Sequence, residues 1–242
     1  MSQLAFQIHP DVLQKFPSMT VGALVVTLDD PASLDPLIEN LTAKLPEIAR
    51  HINEADPITS LPAIASWREA YAAMSVKPSK FHSSIEALLR RVKKGDDIST
   101  GLQVVDLYNL ISVIHGTPMG AYDLDKLPDG EFTLRLADPA IDRFEPLGGK
   151  AASFPLNENL VVYAAGSKIL CWGINTRDSV NSCVDDQSRS IVFMSEATSG
   201  AMAGLPLTAL SNLAELATAA SGSGIVVNKV QIADQSCPQI KL

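Results

Sequence analysis

The sequence predicts an α+β fold: one domain, residues 1–242, in which a largely antiparallel or mixed sheet is packed by helices. Three observations carry this. The hydrophobic period changes along the chain, from a 3.6-residue stripe of Val104, Leu107, Tyr108, Ile111 and Ile114 to a two-residue alternation of Phe132, Leu134 and Leu136 around Thr133 and Arg135. Two strand-like runs, 160–165 and 168–172, are joined by only Gly166 and Ser167, the spacing of an antiparallel hairpin. Finally, 242 residues with 46% hydrophobic and 19% charged side chains bury a substantial core, and neither an internal repeat nor a low-complexity segment divides them.

In chain order, residues 21–28 (VGALVVTL) are a continuous apolar run, as in a strand covered on both faces, and Asp29, Asp30 and Pro31 end it. Ser33 is placed to cap a helix carrying Leu34, Leu37, Ile38 and Leu41, and a second short helix is expected over 46–51. Ser60 ahead of Pro62 opens a helix with a buried stripe of Ile64, Trp67, Tyr71 and Met74. Ser83 and Glu86 form a capping box before Ile85, Leu88, Leu89 and Val92, and that helix stops at Gly95. A polar connection over 96–100 leads into the helix of 104–115, which Gly116 and Pro118 terminate. Residues 116–123, punctuated by Gly116, Pro118 and Gly120, read as a compact turn. Asp129 and Gly130 then turn the chain into the strand of 132–136. The stretch 137–157 is irregular, and its Gly148 and Gly149 are either a plain turn or a cradle of amides for an oxyanion. After the hairpin come a loop over 173–179 and a strand over 190–195. Residues 206–220 read as a helix buried all round, 221–224 as a loop, and 225–232 as a last strand.

Composition excludes several function classes. A net charge of −8 argues against broad, non-specific nucleic-acid binding, which needs a basic surface to neutralise phosphates. A local patch remains: Arg68, Lys77, Lys80, Arg90, Arg91, Lys93 and Lys94 outnumber Glu69 and Glu86 in their stretch. Arg90, Arg91, Lys93 and Lys94 either complement a helix C-terminus in water or contact an RNA backbone. No run of about 18 apolar residues is present, and the N-terminus lacks the basic and apolar regions of a secretory leader, so a cytoplasmic protein with no membrane partner is expected. Cys171, Cys183 and Cys237 form neither an even disulfide framework nor C-x-x-C pairs, and His9, His51, His82 and His115 lack metal-ligand spacing. No metal site and no cofactor are expected. There is no G-x-S-x-G elbow, and the residues alone identify no catalytic group.

The stretch 104–127, VVDLYNLISVIHGTPMGAYDLDKL, is more specific. Its pattern V-D-x-x-N followed by G-x-P-x-x-A-[FY]-D-x-D-[KR] is met at Val105, Asp106, Asn109, Gly116, Pro118, Ala121, Tyr122, Asp123, Asp125 and Lys126. It resembles the B3/B4 region of the phenylalanyl-tRNA synthetase beta subunit, which carries that enzyme's editing site. W-R-x-x-Y from Trp67 to Tyr71, K-P-S-K-F from Lys77 to Phe81, and a loop with Cys171, Asn175, Arg177 and Asp178 are similar to freestanding B3/B4 proteins, with Glu196 matching an acid at the end of the next strand.

The resemblance implies a B3/B4-like fold over 61–232, with 1–60 as an N-terminal extension packed on it. The rest of the large subunit has no room here, so a full phenylalanine-tRNA ligase is not expected. What is implied is an RNA-binding aminoacyl-tRNA deacylase acting in trans, which hydrolyses a mischarged ester with a positioned water and whose partners are tRNA and a small amino-acid-like ligand. Such a site needs a side-chain pocket, oxyanion donors and a group that orients water. The implied pocket is Asn109, Thr117, Pro118, Met119, Gly120, Asp123, Asn175, Arg177 and Glu196, with the RNA contact at Arg90, Arg91, Lys93 and Lys94.

Two departures matter. Thr117 stands where the synthetase pattern has glutamine, and Gly120 where it has histidine. Without that imidazole neither tyrosine-selective editing nor its catalytic detail carries over from the resemblance, and glycine either enlarges the pocket or lets the backbone approach a ligand closely. Asp106 and Asn109 either orient a ligand or cap nearby backbone. Arg177 and Asp178 either pair with each other or leave Arg177 to meet a carboxylate or phosphate. His115 either meets helix-end carbonyls or takes part in catalysis. The alternative function is a catalytically silent module that binds an amino acid, a nucleotide or an RNA end.

Overall fold

The computed structural model describes residues 4–55, 57–127, 131–220 and 224–242. The expected turn at Asp129 and Gly130 and most of the 221–224 loop lie outside the described residues. The chain opens with β1 (Ala5–Ile8), α1 (Pro10–Lys15) and β2 (Thr20–Leu28). Helices α2 (Asp35–Thr42), α3 (Leu45–Glu54), α4 (Pro62–Ala73), α5 (Ser84–Lys94) and α6 (Gln103–His115) follow. Next come β3 (Met119–Asp123), β4 (Glu131–Leu136), β5 (Val161–Ala165), β6 (Lys168–Trp172), β7 (Arg177–Asp178) and β8 (Ser190–Ala197). The chain closes with α7 (Leu205–Ala219), β9 (Ile225–Val227), β10 (Gln231–Ala233) and β11 (Gln239–Lys241).

This is an α+β arrangement with the strands divided between two sheets. The first is mixed, ordered β11-β1-β4-β5-β6-β7, with β1 parallel to β4; the second, β10-β2-β8-β3 with β9 also on β2, is antiparallel. The sheets meet through an aromatic core in which Tyr122 of β3 lies 6.0 Å from Phe132 and 5.7 Å from Tyr163 of the first sheet, ring centre to ring centre. Helix α7 packs on the second sheet over Gly22, where a Cβ would come within 2.6 Å of the Leu210 side chain. Glycine in the apolar β2 run therefore permits the helix to approach.

Two helices that frame the site follow their local signals. Ser83 caps α5 by accepting from the Glu86 amide, and Gly95 ends it at φ 75°. Gly116 ends α6 at φ 64°, as a left-handed C-cap should. The capping box is only half formed, however. The buried Glu86 carboxylate accepts from Arg68 and Arg90 instead of reaching back to the cap, because charge-assisted bonds to two guanidiniums outweigh one backbone amide.

Other expectations are corrected. Asp30, not Ser33, caps the turn before α2 by accepting from the Ala32 amide, while the Ser33 hydroxyl donates to the Asp30 carbonyl. Residues 119–123 are an edge strand paired along β8 rather than part of a turn, since the long apolar β8 satisfies their backbone. Helix α7 is buried on one face through Ala209, Leu210, Leu213 and Ala217, with Leu207 exposed. The expected strand over 225–232 splits into β9 and β10, each pairing with β2, and β11 follows. Residues 5–28, within the N-terminal extension of 1–60, supply a strand to each sheet.

Candidate functional site

A cavity of about 210 Å³ opens between the two sheets at the ends of α5 and α6. Strand register decides what faces it. Gly120 of β3 sits opposite Met194 of β8, and Glu196 lies two residues further along β8, so these three share the inward face. On the other wall Cys171 of β6 pairs with Asp178 of β7 and faces inward, whereas Trp172 pairs with Arg177 on the opposite face. Ser84, Ala87 and Leu88 of α5 and Tyr108 and Asn109 of α6 complete the walls. At this size the cavity is below the roughly 300–1,000 Å³ of drug-sized pockets.

Glu196 lines the cavity from the end of β8. It is 2% exposed. Burial pushes its carboxyl up to about 7, the nearby Asp178 adds to the effect, and hydrogen bonds from the Tyr163 hydroxyl (2.7 Å) and Asn175 Nδ2 (3.4 Å) oppose it. Tyr163 is raised well above its ordinary value, first by burial and then by Glu196, so it stays a neutral donor. Asn175 is fixed in turn by the Tyr71 hydroxyl of α4, which donates to its Oδ1 at 2.9 Å and is also bonded to Thr176 Oγ1 at 2.6 Å. The loop is wound tightly to place Asn175. Gly173 has φ 65°, and the buried Ile174 has φ 68°, an unfavoured region for a β-branched residue that costs on the order of 1–3 kcal/mol.

Asp178 is half-buried, and burial raises its carboxyl despite a hydrogen bond from the Cys171 thiol and the charge of Arg177. Burial and Asp178 together hold the Cys171 thiol well above its ordinary value, which disfavours a thiolate nucleophile. The Ser84 hydroxyl lines the cavity from the first turn of α5. It is the buried side-chain oxygen with no hydrogen-bond partner among the described residues. It stands next to the orphan amides of a helix N-terminus, where partial positive charge gathers.

Of the residues expected in the pocket, Asn109, Met119, Gly120, Asn175, Arg177 and Glu196 line this cavity. Arg177 contributes its stem, since its guanidinium donates to the Leu147 carbonyl at 3.2 Å and lies 5.6 Å from the Phe154 ring. Thr117, Pro118 and Asp123 lie outside it. Thr117 is bonded to the Glu196 carbonyl, the Pro118 carbonyl accepts from Ser195, and the Asp123 carboxylate accepts from Ser188. These three set the register of β3 against β8. Asp106 caps the backbone at Thr100 and Gly101, and His115 is bonded to Asn212. Tyr71, Tyr163, Ser84 and Asp178 join the site without having been assigned a role in it; the partners of Tyr71 and Tyr163, Asn175 and Glu196, are distant in sequence.

The expected RNA contact lies at the other end of α5, about 15 Å away for ten residues of helix. Arg90 is committed to Glu86 at 2.7 Å, Arg91 donates to the Asp97 carbonyl, and Lys94 is exposed. Among the described residues no group of His, Cys, Asp or Glu is arranged to hold a metal ion, and no helix is long and apolar enough to cross a membrane.

Comparison with known proteins matches residues 66–204, more than half of the chain, to the B3/4 domain. Among solved structures, an N-terminal fragment of the phenylalanyl-tRNA synthetase beta-subunit from Pyrococcus horikoshii is similar over 93% of this chain at 13% identity, with a TM-score of 0.43. The chain spans 51% of that fragment. No curated protein matches.

Proposed function

The chain belongs to the B3/4 domain family, and from that premise we propose that it hydrolyses a mischarged aminoacyl-tRNA in trans, as a cytoplasmic deacylase built from the whole of residues 1–242. The observation that carries the reading is a buried carboxyl poised near neutrality, Glu196 at about 7, in the cavity beside the unpartnered Ser84 hydroxyl. A general base works best with a pKa near the working pH and contributes roughly 10²–10⁴-fold.

In this mechanism the aminoacyl group enters between the sheets, with its side chain toward Gly120. Ionised Glu196, held in place by Tyr163 and Asn175, takes a proton from water as the water oxygen bonds to the ester carbonyl carbon. The carbonyl oxygen becomes an oxyanion and accepts from Ser84 Oγ and the first-turn amides of α5. As the carbon–oxygen bond to the ribose breaks, protonated Glu196 returns its proton to the leaving oxygen, releasing amino acid and tRNA. No metal or cofactor enters any step. The basic end of α5, including Lys93 and Lys94, gives the tRNA backbone a place to lie while its acceptor end reaches the cavity.

The test is deacylation of a panel of mischarged tRNAs by the purified protein, where turnover of at least one member is expected and turnover of none contradicts the reading. One observation favours a second reading. With Gly120 in the histidine position, the cavity has no imidazole, which suits a silent module that binds an amino acid or RNA end. Thermal shift with free amino acids separates the two, because saturation at about 100 times Kd stabilises by roughly 2.7 kcal/mol without any turnover.

A further inference from the structure

The cavity holds an acid, Asp178, that has no part in the proposed reaction and that no side chain among the described residues meets in an ion pair. A carboxylate offers about four acceptor positions. Asp178 has the Cys171 thiol, a weak donor, and the charge of the neighbouring Arg177, but among the described residues no basic side chain forms an ion pair or hydrogen bond with it. The adjacent cation does not reach it, because successive residues of β7 face opposite sides and the Arg177 guanidinium is turned toward Leu147 and Phe154. Two of the neighbouring donors are already used: the Tyr163 hydroxyl and Asn175 Nδ2 both serve Glu196. What remains is an acceptor-rich, half-buried wall that matches a donor-rich cation.

We propose that Asp178 seats the primary ammonium group of the ligand, so that the site selects aminoacyl groups with a free α-amine and rejects N-acylated ones. The inference rests on the hydrolytic reading for the ester chemistry, although amine binding itself requires no turnover. It also couples recognition to the base. The charge of Asp178 helps hold Glu196 in its protonated form, and an ammonium docked on Asp178 offsets that charge, so Glu196 ionises more readily once the amine is in place. An N-acylated aminoacyl group, such as the end of a peptidyl-tRNA, lacks both effects: its amide N–H is a single neutral donor, and it adds bulk at the carboxylate.

The experiment is calorimetric titration of the full chain with glycinamide, alaninamide, leucinamide and phenylalaninamide, each beside its N-acetyl counterpart. At least one amide is expected to bind, with its N-acetyl form about tenfold weaker or worse, the loss of one hydrogen bond to a charged group. Asp178→Asn is expected to bring the two forms to within about threefold of each other, within the error of such energies. That ratio is a readout that general loosening of the fold does not move. Equal binding of amide and N-acetyl amide by the wild type, no binding of any amide, or an unchanged ratio in Asp178→Asn overturns the proposal. The hydrolytic reading fails separately. If amides bind as described while no mischarged tRNA is turned over, the ammonium seat stands without the reaction; if aminoacyl-tRNA and N-acetylaminoacyl-tRNA are hydrolysed equally, the reaction stands without the seat.

Discussion

Replacing Glu196 with glutamine should make the protein relatively more stable as pH rises. The Glu196 carboxyl lies at about 7 in the folded protein against 4.5 for an ordinary glutamate. Below 4.5 the group is neutral in both states and costs nothing. Between 4.5 and 7 the unfolded chain releases the proton while the folded protein keeps it, so folding stability falls by about 1.4 kcal/mol per pH unit, reaching a total on the order of 3 kcal/mol above pH 7. Glutamine carries no such penalty. Its amide keeps an acceptor for Tyr163, and any mismatch it creates at Asn175 does not depend on pH. Melting temperatures of the wild type and Glu196→Gln should therefore diverge between about pH 4.5 and 7.5 in the variant's favour, by roughly 6–12 °C at 2–4 °C per kcal/mol for a chain of this size. Removing the Glu196 charge also relieves Asp178, which moves the difference in the same direction. Parallel melting curves across that range would refute both the buried ionisable carboxyl and its role as a base poised near neutrality.

Other outcomes follow from the contacts. Tyr71→Phe removes the buried hydroxyl that holds Asn175 and Thr176; it should cost about 1–3 kcal/mol in denaturant titration, and a loss below about 0.3 kcal/mol would mean that the loop is held by other groups. Arg90→Glu sets a like charge against buried Glu86, which keeps Arg68 as a partner, and should destabilise by about 1–3 kcal/mol, whereas Lys94→Glu at an exposed position should stay within about 0.5 kcal/mol; equal effects would contradict the difference between a structural and a solvated cation. If two to four phosphates are met at the end of α5, tRNA affinity should fall with salt at a log–log slope of about −1.5 to −3.5. Charge reversal at Arg91, Lys93 and Lys94 should flatten that slope, and an unchanged slope places the RNA contact elsewhere.

What the sequence discloses here is set by the range of each interaction. The Ser83 cap, Gly95, and the Gly116 stop after α6 act within one helical turn, and all three are legible. The Gly166–Ser167 hairpin is legible for the same reason. Ser33 misleads because the chain turns earlier, at Pro31 with Asp30 as its cap, so Ser33 lies inside that turn and its hydroxyl donates to the Asp30 carbonyl. The capping box at Glu86 misleads because Arg68, 18 residues away, claims the carboxylate. The last strands are illegible as separate elements, since their boundaries depend on which stretch of β2 each one meets. At the site, the family pattern marks Asn109, Gly120, Asn175 and Glu196, which line the cavity. It gives no sign that Tyr163 donates to Glu196 across 33 residues, or that Ser84, one position past its cap, is left with no partner. Thr117 and Pro118 stand just before β3 and are bonded to the Glu196 carbonyl and the Ser195 hydroxyl, and Asp123 at the far end of β3 is bonded to Ser188, so all three lie outside the cavity.

The most direct test of the central claim compares the wild type with Gly120→Leu in single-turnover deacylation of mischarged tRNAs. Nothing lies within 4 Å of a Cβ built on Gly120, so leucine enters the cavity with no backbone strain and takes the space assigned to the aminoacyl side chain. The account predicts that the wild type hydrolyses at least one mischarged tRNA and that Gly120→Leu, folded and melting no lower, hydrolyses it about a hundredfold more slowly because the ester can no longer reach its bound position. Hydrolysis of no member by the wild type, or equal rates in the two proteins, contradicts it.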